Sequence, residues 1–176
     1  MADRTKWNDV SVLHEYERAF AEWNGSEFAF AFQAGRKALT ACIYALEIKA
    51  GDEVIVPGFT CVRVPNAFEF ANIKPVFCDI ELDTYGPDLE SVEENFTPRT
   101  KAIVVQHLFG LVCRDYEKIL ALAAKKGVRV IEDCAQSTGA SLNGRRVGSR
   151  GSVGFFSSER SKIFFWVWKE GERQRQ

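Results

Sequence analysis

The chain has no long run of a single charge, and its 23 basic and 24 acidic residues leave a formal net charge of −1. So even a balance gives no electrostatic case for a nucleic-acid partner. Histidine is scarce, with 2 in 176 residues. The five cysteines, Cys42, Cys61, Cys78, Cys113 and Cys134, form no C-x-x-C pair, so no metal is expected. An odd set lying mostly in apolar stretches reads as buried, reduced thiols of a cytoplasmic protein. No stretch approaches the length of a transmembrane helix, so no membrane partner is expected. Met1-Ala2-Asp3-Arg4-Thr5-Lys6 leads into no apolar segment, which argues against a signal peptide. Internal repeats, low-complexity segments and linkers are also missing. What remains, at 46% hydrophobic content, is the composition of an ordinary globular domain with one core.

Strand and helix patterns alternate along it. Val12, Leu13, Tyr16 and Phe20 recur at helical spacing and predict an amphipathic helix ending near Asn24-Gly25. The short apolar run Phe28 to Phe32 reads as a strand that turns into a helix at Ala34-Gly35-Arg36-Lys37, with Leu39, Ile43 and Leu46 along that helix. Strands are expected at Val54 to Pro57, Val76 to Ile80, Ala102 to Val105 and Val128 to Ile131. Helices are expected at Pro65 to Asn72, Asp88 to Asn95 and Tyr116 to Lys126. Strands separated by helices imply parallel βαβ units with right-handed crossovers.

Chemistry concentrates after the strand ends. Glu132-Asp133-Cys134-Ala135-Gln136 follows Val128 to Ile131, and ligands of open α/β sheets bind outside the carboxyl ends of strands. A carboxylate there with a later lysine, Lys162, is what pyridoxal 5′-phosphate (PLP) requires. The lysine forms a Schiff base with the aldehyde, and the acid keeps the pyridine nitrogen protonated. Each further residue also has a plain structural reading. Gly35 at a helix start suits a phosphate, or simply tight packing. Ser157 could reach the same phosphate, or be a strand-end hydroxyl. Gln136 could contact the cofactor's 3-hydroxyl side, or only begin a helix. His107 reads first as a satisfied structural residue. A nucleotide-binding doubly wound domain is the competing class, but no G-x-G-x-x-G follows the first strand.

In order, Gly35-Arg36, Gly51 to Thr60 (GDEVIVPGFT), Pro98 to Ile103 (PRTKAI), Glu132 to Gln136 (EDCAQ), Gly144 to Ser149 (GRRVGS), Gly154 to Ser157 (GFFS) and Lys162 resemble the DegT/DnrJ/EryC1/StrS family of sugar aminotransferases. The likeness runs over roughly residues 10 to 162. It implies a fold-type I PLP-dependent transferase large domain: α/β, three-layer αβα, with a mostly parallel sheet. It implies transfer of an amino group from an amino acid, glutamate by expectation, to a keto sugar nucleotide, in surface polysaccharide or secondary-metabolite sugar biosynthesis. A homodimer is implied as well. By the same resemblance Lys162 is the Schiff-base lysine and Asp133 the pyridinium partner. Gln136 is a neighbouring cofactor contact; Gly35, Arg36, Lys37 and Ser157 surround the phosphate. Cys61 takes the place of an aromatic residue that stacks on the ring. One branch of the family carries histidine at the lysine position and removes a sugar hydroxyl, so Lys162 favours transamination.

The segment Ile163-Phe164-Phe165-Trp166-Val167-Trp168 and the polar residues after it depart from the family pattern. Members are roughly twice as long as this chain. The expected organisation is therefore a partial large domain over 1–162 and an atypical tail, from a frameshift or truncation, over 163–176, with the small C-terminal domain absent. A chain of that kind is expected to hold PLP weakly and not to turn over a sugar. A non-catalytic remnant stays open as the alternative.

Overall fold

A computed structural model describes residues 10–158. Lys162 and the 163–176 segment lie outside the described residues. Helix α1 spans Val10–Asn24 and α2 Gly35–Ala45. Then β1 (Glu53–Pro57), α3 (Arg63–Glu69), β2 (Lys74–Cys78), α4 (Leu89–Glu94), β3 (Thr100–Gln106), α5 (Tyr116–Lys126) and β4 (Arg129–Asp133) alternate. A short hairpin, β5 (Ser141–Leu142) with β6 (Arg145–Arg146), precedes β7 (Val153–Phe155). The five-stranded sheet runs β2-β1-β3-β4-β7, and all its ladders are parallel.

Continuous apolar strands buried on both faces are what such a sheet demands, and each strand divides its residues by period two. Val54 and Val56, Ala102 and Val104, and Ile131 face one core together with Leu39 and Ile43 of α2 and Val64 and Phe68 of α3. Ile55, Ile103, Val105 and Val130 face the other, against Val92 of α4 and Ile119, Leu122 and Ala123 of α5. Three layers result, as the sequence predicts. The winding reverses at β1: β2 lies on one side of it and β3 on the other, so the helix after β1 covers one face and the helices after β2 and β3 cover the opposite one.

Local signals place most boundaries. Asp88 caps α4 by accepting from the Ser91 N–H at 3.0 Å. Gly127, at φ 68°, ends α5 in the left-handed region. Three expectations need correction. The Phe28 to Phe32 run is not a strand: it has no ladder partner among the described residues, and Phe28, Phe30 and Phe32 are exposed. Glu132 and Asp133 lie within β4 rather than after it, because their backbone pairs with Val105 and Gln106 of β3. The predicted core face of α1 is largely outward, with Val12, Leu13 and Tyr16 exposed, while Phe20 packs edge-on against Phe156 at 5.1 Å. Of the five cysteines, four are buried and Cys61 is exposed.

The loop before β7 crosses that strand at two glycines. A Cβ on Gly154 would lie 2.6 Å from Gly148 Cα and 2.7 Å from its carbonyl oxygen, both backbone atoms that no rotamer change can move. Gly154→Ala should destabilise the fold by about 1–3 kcal/mol. The check is urea unfolding, where the midpoint should fall with the slope unchanged.

Candidate functional site

Register sets the site. Gln106 of β3, Asp133 of β4 and Phe155 of β7 are successive Cα partners at the carboxyl ends of three adjacent strands. Residues two positions earlier on β3 and β4, Val104 and Ile131, face the α2–α3 core, so Gln106 and Asp133 point to the same side. There they line a cavity of about 1060 Å³ that reaches Gly35, Thr60, Cys61 and Ser157, large enough for a cofactor and a small substrate. Asp133 is 7% exposed, and its Oδ1 accepts the Ala135 N–H at 3.0 Å.

At the other end of the cavity α2 begins. Its N-cap, Ala34, is extended and offers no side-chain cap, so the first N–H groups of the helix are left for an outside acceptor. A Cβ built on Gly35 would sit 3.5 Å from Ser157 Cβ and 3.7 Å from Ser157 Oγ. The open helix end and the serine hydroxyl therefore face each other. Arg36 lines the cavity. Lys37 is exposed and donates from Nζ to Gln33 Oε1 at 2.8 Å, so the turn would meet a phosphate through its backbone rather than through this side chain. Gln136 is half-buried in the cavity wall, and Cys61 is exposed beside it. An anion cradle, an acid between strands and polar atoms between them fit a phosphorylated pyridine. Six of the predicted site residues, Gly35, Arg36, Cys61, Asp133, Gln136 and Ser157, line this cavity; Lys37 does not, and Lys162 lies outside the described residues.

The reverse face of β4 carries a second carboxylate, Glu132, with no exposure. It accepts the Tyr116 hydroxyl at 2.5 Å and the N–H groups of Gly148 at 2.6 Å, Arg150 at 2.9 Å and Gly151 at 2.5 Å. His107 Nδ1 accepts the Cys113 N–H at 3.1 Å, which leaves the ring proton on Nε2, 3.4 Å from Glu132 Oε2. His107 is fully buried against Tyr116. Burial opposes the charge on Glu132, but hydrogen bonds from His107, Tyr116, Gly151 and Gly148 outweigh it and hold the carboxyl down at about 2. The anion fastens the 148–151 loop to β4, and with it β7 and Ser157.

Sequence reading passed over Glu132, Gln106 and Thr60. For Glu132 the usable signal was period two: beside a cavity-facing Asp133, its neighbour must face the opposite core. The β5–β6 hairpin was also missed, although Asn143-Gly144, with both φ positive at 52° and 74°, is a strong two-residue turn signal.

A parallel sheet wound in both directions, with an acid at a strand end and an uncapped helix start facing the same cavity, is the arrangement of a fold-type I transferase. A family model narrows the class, matching residues 2–171: the chain belongs to the DegT/DnrJ/EryC1/StrS aminotransferase family. It is 48% identical over 129 residues to UDP-N-acetyl-3-dehydro-alpha-D-glucosamine 3-aminotransferase of Acidithiobacillus ferrooxidans, covering 73% of this chain and 35% of that protein. The aminotransferase of Psychrobacter cryohalolentis superposes with a TM-score of 0.83 at 42% identity, covering 86% of this chain and 38% of that one. A Streptococcus pneumoniae relative solved in its PLP form gives 0.81 at 27% identity, over 85% of this chain and 42% of that one. The chain therefore spans about two fifths or less of these relatives' lengths. No described helix is long and apolar enough to cross a membrane.

Glu132 makes acid stability testable. Its folded value of about 2 lies below the ordinary 4.5, so the folded state binds the proton more weakly than the unfolded chain does. The stabilisation is complete above about 4.5 and is lost as pH falls toward 2. Glu132→Gln should lower stability at neutral pH by about 1–3 kcal/mol and flatten this acid limb in thermal melts. Part of the remaining slope should come from Glu53, which Thr97, Arg99 and Lys74 also hold down at about 2.

Proposed function

We propose that this chain contributes the cofactor-binding half of a PLP-dependent aminotransferase that moves an amino group from an amino acid, glutamate by preference, to a keto sugar nucleotide. The observation that carries the reading is Asp133, nearly buried at the end of β4 in the cavity that also holds the open start of α2. The relative named for a UDP-linked dehydro sugar supports the substrate class, and the PLP-form structure supports the cofactor.

Bound PLP supplies an aldehyde that takes up an amino group and a pyridine ring that withdraws electrons from the neighbouring carbon. The chain's own residues do the rest. N–H groups of Gly35 and Arg36 and the Ser157 hydroxyl bind the phosphate, favoured by the positive end of the helix dipole. Asp133 holds a proton on the ring nitrogen, because an adjacent negative charge raises that nitrogen's pKa. Lys162 Nζ would hold the cofactor's aldehyde and, as a free amine, would accept and return the proton given up by the donor's Cα. Gln136 steadies the ring's hydroxyl edge. Cys61 offers sulfur rather than an aromatic face to the ring, a weaker but favourable contact. A homodimer is part of this reading, by family analogy alone.

Two measurements test it. The chain mixed with PLP should develop a visible band, and peptide mapping after borohydride reduction should place the pyridoxyl mass on Lys162. A label on Lys37 or Lys101 instead, or no label in a folded full-length version, would overturn the assignment. In a completed, full-length chain Asp133→Ala should slow transamination on the order of 100-fold, with little change in melting temperature. Near-normal conversion would make the carboxylate structural.

A further inference from the structure

Two polar atoms in the cavity wall have no partner among the described residues: Thr60 Oγ1 and Gln106 Oε1, both buried. Gln106 has no exposure, and its orientation is forced. Its Nε2 donates to the carbonyl oxygens of both Phe59 and Tyr85, so turning the amide round would set oxygen against two acceptors. Oε1 is left as a fixed acceptor in a place where nearly all polar groups are satisfied. The residue tethered by that amide, Phe59, directly precedes Thr60, and both line the place where the sheet reverses its winding: β1 ends before Thr60 and β3 ends at Gln106. Such switch points are where open α/β sheets take ligands.

The loops that Gln106 ties also carry an aromatic ledge. Phe59 and Tyr85 have ring centroids 5.9 Å apart, and Tyr85 and Phe109 stand edge-to-face at 6.1 Å. All three are at least 38% exposed. Tyr85 and Phe109 have φ of 60° and 56°, left-handed values that are uncommon outside glycine and cluster at ligand clamps. The Tyr85 turn is held by Glu81, which accepts the N–H groups of Asp83 at 2.7 Å, Thr84 at 2.9 Å and Gly86 at 3.1 Å.

We propose that Thr60 and Gln106 form a hydroxyl-recognising subsite for the sugar ring of the substrate, beside the Asp133 position. Gln106 Oε1 accepts a sugar O–H, and Thr60 Oγ1 exchanges a hydrogen bond with the same hydroxyl or a neighbouring one. A hydroxylated ring is the ligand that presents several such donors along its edge, and the ledge on the same two loops offers an apolar surface outside the cavity lining. The inference deepens the aminotransferase reading and rests on it for the identity of the substrate.

The test is binding rather than turnover. Calorimetric titration of the whole chain with UDP-N-acetylglucosamine, with UDP alone and with PLP separates the contributions. Thr60→Val, which keeps shape and leaves the Gln106 amide contacts in place, should weaken the sugar nucleotide on the order of 10-fold. UDP and PLP affinities should not move, and Thr60→Ser should restore sugar affinity. Gln106→Met should give a loss at least as large, with circular dichroism verifying the fold. Equal sugar-nucleotide affinity in Thr60→Val, or a loss confined to PLP, overturns the subsite; so does failure of the unsubstituted chain to prefer the sugar nucleotide to UDP. Failure of PLP to bind at all, with the sugar effect intact, would instead strike the aminotransferase reading and leave the subsite standing.

Discussion

Glu132 is a fully buried anion whose donors come from distant parts of the chain: Tyr116 at the start of α5, and Gly148, Arg150 and Gly151 in the loop before β7. A buried carboxylate is tolerated only when its lone pairs are met, since desolvation otherwise drives it to protonate. Here the donors that meet them belong to the loop that must close over β4 for β7 to join the sheet. Meeting the charge and building the sheet edge are therefore one event. Breaking it would leave an uncompensated charge under the site, and such losses are costly.

The other half of that closure is steric. The loop passes β7 with Gly148 and Gly154 backbone to backbone, closer than any Cβ allows. Hydrogen bonds from the loop pull it inward, and two missing side chains let it come. The result places Ser157 opposite Gly35, so a helix start and a strand end more than 100 residues apart in sequence meet where the phosphate is proposed to bind.

On the two faces of β4, adjacent carboxylates do opposite work. Glu132 is saturated by donors and serves architecture. Asp133 faces the cavity and, in the proposed reaction, serves chemistry. The difference follows from the pleat, which sends successive side chains to opposite faces. Gln106 shares the Asp133 side because β3 and β4 pair in parallel register. The carboxyl ends of β1, β3 and β4 thus bring a hydroxyl, an amide and an acid to one cavity wall.

Much of this was legible beforehand. Continuous apolar runs and helical stretches of period 3.6 are properties of neighbouring residues, so β1, β3, α4 and α5 could be read directly, as could the order of the family motifs. Asp133 was legible as a strand-end acid through its position in those motifs. The run Phe28 to Phe32 was not, because a strand exists only through a partner, and none of the described strands takes it up. Nor could the sequence say that Glu132 would gather donors from residues 116 to 151, that His107 would be buried against Tyr116, or that Gln106 would be left with a free oxygen. Local pattern determined most of the helices and strands and which residues are candidates for the chemistry. Tertiary structure alone decided which of those residues meet, because register and winding order depend on pairings between segments that no local stretch encodes.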